Sequence, residues 1–205
     1  PIGRASGPRQ SHTPKQGANA WRGGRYATGM AMRDKRKRHF LCEANVGAGL
    51  PIVSTLRDLI ASGDEIVRIE GILSGTLSYL FNTFDGSMPF SALVRDAHRM
   101  GFTEPDPRED LSGQDVARKL LILGRQIGLQ MDLDEVTVDS LVPKPLSRGK
   151  YSSAFLTALA RYDVEMLDRM KRAAARGKVL RYVGTLNRGK ASAGLQEVPR
   201  AHPTA

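Results

Sequence analysis

The chain reads as an α+β protein built on an open mixed β-sheet covered by helices, and three features of the sequence predict that class. Residues 66–73 alternate apolar and polar as a half-buried strand does, and the runs 178–186 and 190–198 flank Asn187-Arg188-Gly189 as the arms of a hairpin. Apolar residues recur at helical spacing over 51–62, 90–100 and 153–176. Strands and helices then mix without regular βαβ repetition, which argues against a doubly wound parallel sheet.

Residues 1–38 are rich in Gly, Arg, Ser, Ala and Pro and follow neither period. They are expected to form an irregular basic leader, loosely draped because like charge opposes collapse. Order is expected from residue 39. Residues 40–44 read as a short strand, followed by a turn at Gly47 and Gly49. Pro51 suits a first helical position and opens a helix with Ile52, Leu56, Leu59 and Ile60 on one side, stopped at Gly63. After the 66–73 strand, Gly75-Thr76 starts a helix through Tyr79 and Phe81. Phe90, Leu93, Val94, Ala97 and Met100 mark an amphipathic helix ending at Gly101. Residues 104–111 are expected to form a loop stiffened by Pro105 and Pro107. Ser112 is a natural N-cap, with Asp115 three residues on in a capping-box arrangement. Leu120 to Leu123 mark the following helix as buried nearly all round. Residues 136–138 read as a strand, and 153–176 as a helical pair before the hairpin.

A chain of 205 residues fits one domain, or one with an appendage. Its net charge of +10 suggests an anionic partner, but the distribution removes that inference: residues 1–40 hold ten Lys/Arg and one acid, leaving the body nearly neutral. The run Arg33-Asp34-Lys35-Arg36-Lys37-Arg38 lacks aromatic interleaving, so nucleic acid is not expected as a partner. No apolar run reaches the ~20 residues that span a bilayer, and the leader has no apolar h-region. Cys42 is the single cysteine, excluding an internal disulfide and suiting a reducing, cytoplasmic setting. It reads as a buried structural thiol, and His12, His39, His98 and His202 as scattered surface or capping residues.

The chemistry concentrates in 104–119. Glu104, Asp106, Glu109, Asp110 and Asp115 fall within twelve positions and lead to Lys119, one helical turn beyond Asp115. Two roles fit that lysine. One is a structural i,i+4 ion pair, worth roughly 0.3–0.5 kcal/mol on an exposed helix. The other is an acid–base group ending a carboxylate-lined cleft. Spacing alone leaves both open.

Three segments together resemble the homoserine dehydrogenase family. They are Thr103-Glu104-Pro105-Asp106-Pro107-Arg108-Glu109-Asp110-Leu111-Ser112-Gly113-Gln114-Asp115-Val116-Ala117-Arg118-Lys119, Glu43-Ala44-Asn45-Val46-Gly47-Ala48-Gly49-Leu50-Pro51 and Glu70-Gly71-Ile72-Leu73-Ser74-Gly75-Thr76-Leu77-Ser78-Tyr79. The resemblance runs from about His39 to about Pro203 and is nearest the dehydrogenase half of bifunctional aspartokinase–homoserine dehydrogenases. It implies NADP- or NAD-dependent interconversion of L-homoserine and L-aspartate 4-semialdehyde, a step toward threonine, methionine and isoleucine. It implies Lys119 as general acid/base, and Glu104, Asp115 and Asp110 as substrate carboxylates. Gly75 and Thr76 would receive the substrate carboxylate at a helix start. Main-chain carbonyls of Glu43, Val46, Ala48 and Leu50 would hold sodium, and the sheet would pair two copies into a homodimer.

No Gly-x-Gly-x-x-Gly follows a strand, so the Rossmann fingerprint is missing. The family's Thr-Pro-Asn-Lys-Lys-Ala-Asn is echoed only by Thr13-Pro14-Lys15 and Ala18-Asn19-Ala20. Residues 1–38 are therefore expected to be a remnant or frame-shifted end of a nucleotide-binding domain. Residues 39–205 would be a C-terminally shortened catalytic domain, inactive as it stands. Two non-enzyme alternatives follow: a silent domain that only dimerises, and a basic-tailed binding module, which the neutral body disfavours.

Overall fold

The computed structural model describes residues 11–12 and 20–205. The chain divides into two compact units, residues 1–66 with 121–135, and residues 67–120 with 136–205.

In the first unit, β1 (Ser11–His12) pairs in parallel with β2 (Phe40–Leu41). Between them lies α1 (Gly23–Lys35), which corrects the expectation of irregular structure throughout 1–38. Sequence periodicity misses α1 because none of its residues is buried and its first turn is Gly-Gly. The expected strand over 40–44 is shorter, since Glu43–Asn45 form a 3₁₀ turn. Cys42 is buried as expected, ahead of that turn rather than in a strand. Pro51 precedes α2 (Ile52–Ala61), whose Val53 and Leu56 are buried. Gly63 stops the chain with a left-handed φ of 90°, a conformation glycine adopts without steric cost.

The second unit is built on a four-stranded sheet ordered β3 (Arg68–Gly71), β5 (Lys178–Asn187), β6 (Lys190–Pro199), β4 (Thr137–Val138). β3–β5 and β5–β6 are antiparallel and β4–β6 is parallel, so the sheet is mixed, as the sequence predicts. Asn187 pairs with Lys190 across the two-residue turn Arg188-Gly189, where both residues have positive φ, the geometry that matches strand twist. Helices α3 (Gly75–Thr83) and α8 (Asp163–Ala175) pack on β5, while α4 (Phe90–Arg99) packs against α7 (Ala154–Leu159). Tyr182, Leu77, Leu80, Leu93 and Leu186 are fully buried and form the core.

Between α4 and the sheet the acidic stretch is more ordered than the stiff loop expected of it, because residues 107–111 form the short helix α5 (Pro107–Leu111). Pro107 takes an N-terminal position and Asp106 caps the helix, accepting from the Arg108 N–H at 3.0 Å. Gly113, at φ 71°, then turns the chain into α6 (Gln114–Gln126). A Cβ on Gly113 would come within 1.9 Å of the Tyr182 hydroxyl, which donates to Asp139 O. Only glycine fits that junction. Burial pushes the Tyr182 phenol up, keeping it a neutral donor.

Candidate active site

The expected substrate residues all fall in the second unit, and two short networks hold them. The first centres on Lys119. Its Nζ donates to Leu73 O at 2.6 Å and meets Asp115 Oδ2 at 2.7 Å. Two of three ammonium donors are thus directed, leaving one for an incoming oxygen. The lysine side chain is 19% exposed, enough to be reached and too little to be freely solvated. Asp115 also lies 3.8 Å from Arg118.

The second network centres on Asp110. Thr76 Oγ1 lies 2.8 Å from Asp110 Oδ1 and 2.7 Å from Phe102 O, and its one proton serves one of them at a time. Asp110 Oδ2 accepts the Glu104 main-chain N–H at 2.8 Å. Asp110 therefore ties the start of α3 to the loop bearing Glu104. Both its oxygens accept a bond within the protein, so Asp110 positions its neighbours, and each oxygen keeps a lone pair for a further donor. The Thr76 hydroxyl is likewise engaged within the protein. Glu104 is exposed, and among the described residues no donor meets its carboxylate.

The two networks join through Leu73-Ser74-Gly75-Thr76. Ser74 caps α3, its Oγ accepting the Leu77 N–H at 3.2 Å. The N–H groups of Gly75 and Thr76 belong to the first helical turn and have no partner within the helix. A Cβ on Gly75 would meet nothing within 4 Å, so its backbone is open to a ligand. Lys119 beside Leu73 and first-turn donors beyond it place cation, carboxylates and anion-receiving N–H groups along one turn.

Leu73 O and the Ser74 cap were absent from the sequence expectations. A carbonyl partner carries no side-chain signal, but a serine directly before a helix is a legible cap. The expected Ser112 cap is found in part. Its Oγ accepts the Gln114 N–H at 3.3 Å, while the residue also ends α5 and donates to Glu109 O at 2.8 Å. Asp106 and Arg108 form a fork, with Arg108 Nη2 at 2.7 Å from Asp106 Oδ2. Arg108 also donates to Gly149 O at 3.2 Å and lies 5.5 Å from the Tyr151 ring centroid. The Arg108 guanidinium holds the Asp106 carboxyl below its ordinary range.

The expected cation-binding turn lies in the first unit. Glu43 spends its carboxylate on the start of α2, accepting Val53 N–H and Ser54 N–H at 2.8 Å each. Gly47 and Ala48 have left-handed φ, and Leu50 N–H closes onto Gly47 O at 2.9 Å. Glu43 O accepts the Val46 N–H at 3.4 Å and Leu50 O the Ile52 N–H at 2.9 Å. Among the described residues, the carbonyls of Val46 and Ala48 accept no hydrogen bond. Two hard-oxygen donors are therefore uncommitted in a tight turn, which fits a cation held by carbonyls. Among the described residues no group of three or more His, Cys, Asp or Glu could hold a metal ion.

A family model described as homoserine dehydrogenase matches residues 51–205. Bifunctional aspartokinase/homoserine dehydrogenase 1, chloroplastic, of Arabidopsis thaliana is 48% identical over 195 residues, covering 94% of this chain and 21% of that protein. Homoserine dehydrogenase of Saccharomyces cerevisiae is 46% identical over 170 residues, covering 80% of this chain and 47% of that protein. The chain thus spans about a fifth of the plant relative's length and just under half of the yeast one's. Among solved structures, a Candida auris protein described as of unknown function superposes with a TM-score of 0.87 at 39% identity, covering 93% of this chain and 55% of that one. A hyperthermophilic archaeal homoserine dehydrogenase solved in complex with NADPH shares the fold, with a TM-score of 0.62 at 20% identity over 88% of this chain and 47% of that one.

Proposed function

This chain belongs to the homoserine dehydrogenase family, and we propose that it supplies the substrate-binding and proton-transfer part of the NAD(P)-dependent interconversion of L-homoserine and L-aspartate 4-semialdehyde. One observation carries the proposal: Lys119 Nζ, fixed between Leu73 O and Asp115, sits on the turn that leads into the first N–H groups of α3.

An amino-acid zwitterion with a terminal hydroxyl matches that arrangement. Its carboxylate meets the Gly75 and Thr76 N–H groups, where the helix start favours negative charge. Its ammonium is drawn to Glu104 and Asp115. Its hydroxyl reaches Lys119, whose neutral amine takes the proton as the alcohol becomes an aldehyde and whose ammonium returns it in reduction. Asp115 holds the lysine in place and Asp110 holds the loop, so both geometries persist without substrate. The nicotinamide cofactor, when bound, accepts the hydride. Among the described residues no strand runs into a Gly-x-Gly-x-x-Gly turn, so they offer no pyrophosphate cradle of that kind. The choice between NADP and NAD rests on the family, one of whose members was solved with NADPH.

We also assign sodium to the carbonyls of Glu43, Val46, Ala48 and Leu50, and pairing of two copies through the sheet to the assembled protein. Sodium, with choline at equal ionic strength as control, should raise thermal stability through that turn. Light scattering tests the pairing. A cytoplasmic setting is proposed from the single cysteine. No helix among the described residues is long and apolar enough to cross a membrane. No observation favours a domain that only dimerises.

Lys119→Ala, placed in a version that carries the cofactor-binding part, tests the assignment. Homoserine oxidation should fall by roughly 10²–10⁴-fold with the fold intact. Retention of more than about half the turnover would return Lys119 to a structural ion pair.

A further inference from the structure

The basic residues concentrated before residue 41 take no part in the homoserine chemistry, yet two of them, Arg33 and Arg38, line one cleft of the first unit, about 570 Å³ in volume. Its walls include Tyr26, Arg33, Arg38, His39, Arg57 and Arg125. Two of the four guanidiniums are already compensated. Arg33 Nη2 lies 2.6 Å from Asp34, and Arg125 Nη2 lies 3.0 Å from Asp132, with its guanidinium 4.4 Å from the Tyr26 ring centroid. The Arg125 side chain is 3% exposed and forms a rigid part of the wall.

Arg38 and Arg57 differ. Among the described residues neither has a carboxylate within ion-pair distance. Arg57 is held instead by Gln126, whose Oε1 accepts from Nε at 3.0 Å and Nη2 at 2.8 Å. A neutral amide orients the guanidinium without cancelling its charge. Residues 1–19 contain no Asp or Glu, so that stretch cannot supply the missing negative charge either. Two uncompensated cations in a polar cleft, one of them pre-oriented, favour a dianion. A guanidinium fork fits phosphate oxygens, and charges set in a cleft are screened by salt less than those on an open surface.

We propose that this cleft binds a small phosphate-bearing anion, its phosphate held by Arg38 and Arg57. The site is independent of the homoserine chemistry and stands or falls apart from it.

Calorimetry of the chain with inorganic pyrophosphate at low ionic strength tests this. Saturable binding of one pyrophosphate per chain is expected. Arg38→Gln and Arg57→Gln should each weaken it about tenfold or more, the usual worth of a charge-assisted hydrogen bond. Arg38 is exposed, so its variant keeps the test sound if Arg57→Gln, which loses the Gln126 contact, fails to fold. Citrate, anionic but without phosphate geometry, should bind at least tenfold more weakly. Displacement of pyrophosphate by NADP would identify the phosphate as a nucleotide's, and its absence a free phosphate group; either supports the site. Absence of saturable binding would overturn it. So would equal binding of pyrophosphate, citrate and a short DNA duplex that both variants leave unchanged, which would reveal diffuse surface charge.

Discussion

In the second unit the acids of the 104–115 stretch are mostly spent inside the protein. Asp106 takes the Arg108 fork, Asp110 takes Thr76 and the Glu104 N–H, and Asp115 takes Lys119. In the first unit Arg57 is oriented by a neutral amide, and Arg38 has no carboxylate partner among the described residues. The difference separates charges neutralised within the fold from charges left without a counter-charge among the described residues. A carboxylate with both oxygens bonded positions its neighbours, whereas an oriented, uncompensated charge gains most when a counter-charge arrives. Glu104 and Glu109 are exposed acids of the 104–115 stretch whose carboxylates meet no donor among the described residues.

Substitutions can break or sharpen that contrast. The largest effect is expected at Gly113→Ala, where a left-handed φ and an approach of 1.9 Å to the Tyr182 hydroxyl coincide. Denaturant unfolding should show a loss of about 3 kcal/mol or more. A change below about 1 kcal/mol would mean that the junction carrying Asp110 and Asp115 is pliable, and the spent charges would lose their claim to rigidity. Asp110→Ala comes next, since it removes the acceptor of the Glu104 N–H and the Thr76 partner together. Stability should fall by about 1–3 kcal/mol in urea melts, with homoserine affinity reduced as the Glu104 loop loosens.

Glu104→Gln should do the reverse, leaving stability within about 0.5 kcal/mol, as for an exposed side chain. Homoserine binding, followed by calorimetry, should weaken roughly tenfold. Equal binding by wild type and variant would place the substrate ammonium elsewhere. The smallest effect concerns acid. Arg108 lowers the Asp106 carboxyl in the folded state, so the pair contributes stability above the unfolded value of about 3.9. That contribution is lost as pH falls from there through the lower folded value. Asp106→Asn should therefore flatten the acid limb of the stability profile, and an unchanged limb would show the fork to be energetically idle.

Much of this arrangement is legible in sequence, and what is not has physical causes. The hairpin turn, the helix after Pro51 and the Asp115–Lys119 face follow from local rules, because each is set by residues within a few positions. Helix α1 escapes because burial does not pattern it, and α5 because five residues are too few for periodicity. The contacts that hold the expected site residues are not legible. Nothing in 104–119 says that Asp110 is consumed by Thr76, 34 positions away, or that Lys119 meets a carbonyl 46 positions away. Those contacts depend on tertiary placement.

The most direct test is a crystal structure of the chain with L-homoserine. The hydroxyl oxygen should lie at hydrogen-bond distance, about 2.7–3.2 Å, from Lys119 Nζ. The carboxylate should meet the Gly75 and Thr76 N–H groups, and the ammonium should face Glu104 and Asp115. Homoserine bound elsewhere, with Lys119 still closed on Leu73 O and Asp115 and no substrate atom beside it, would contradict the account.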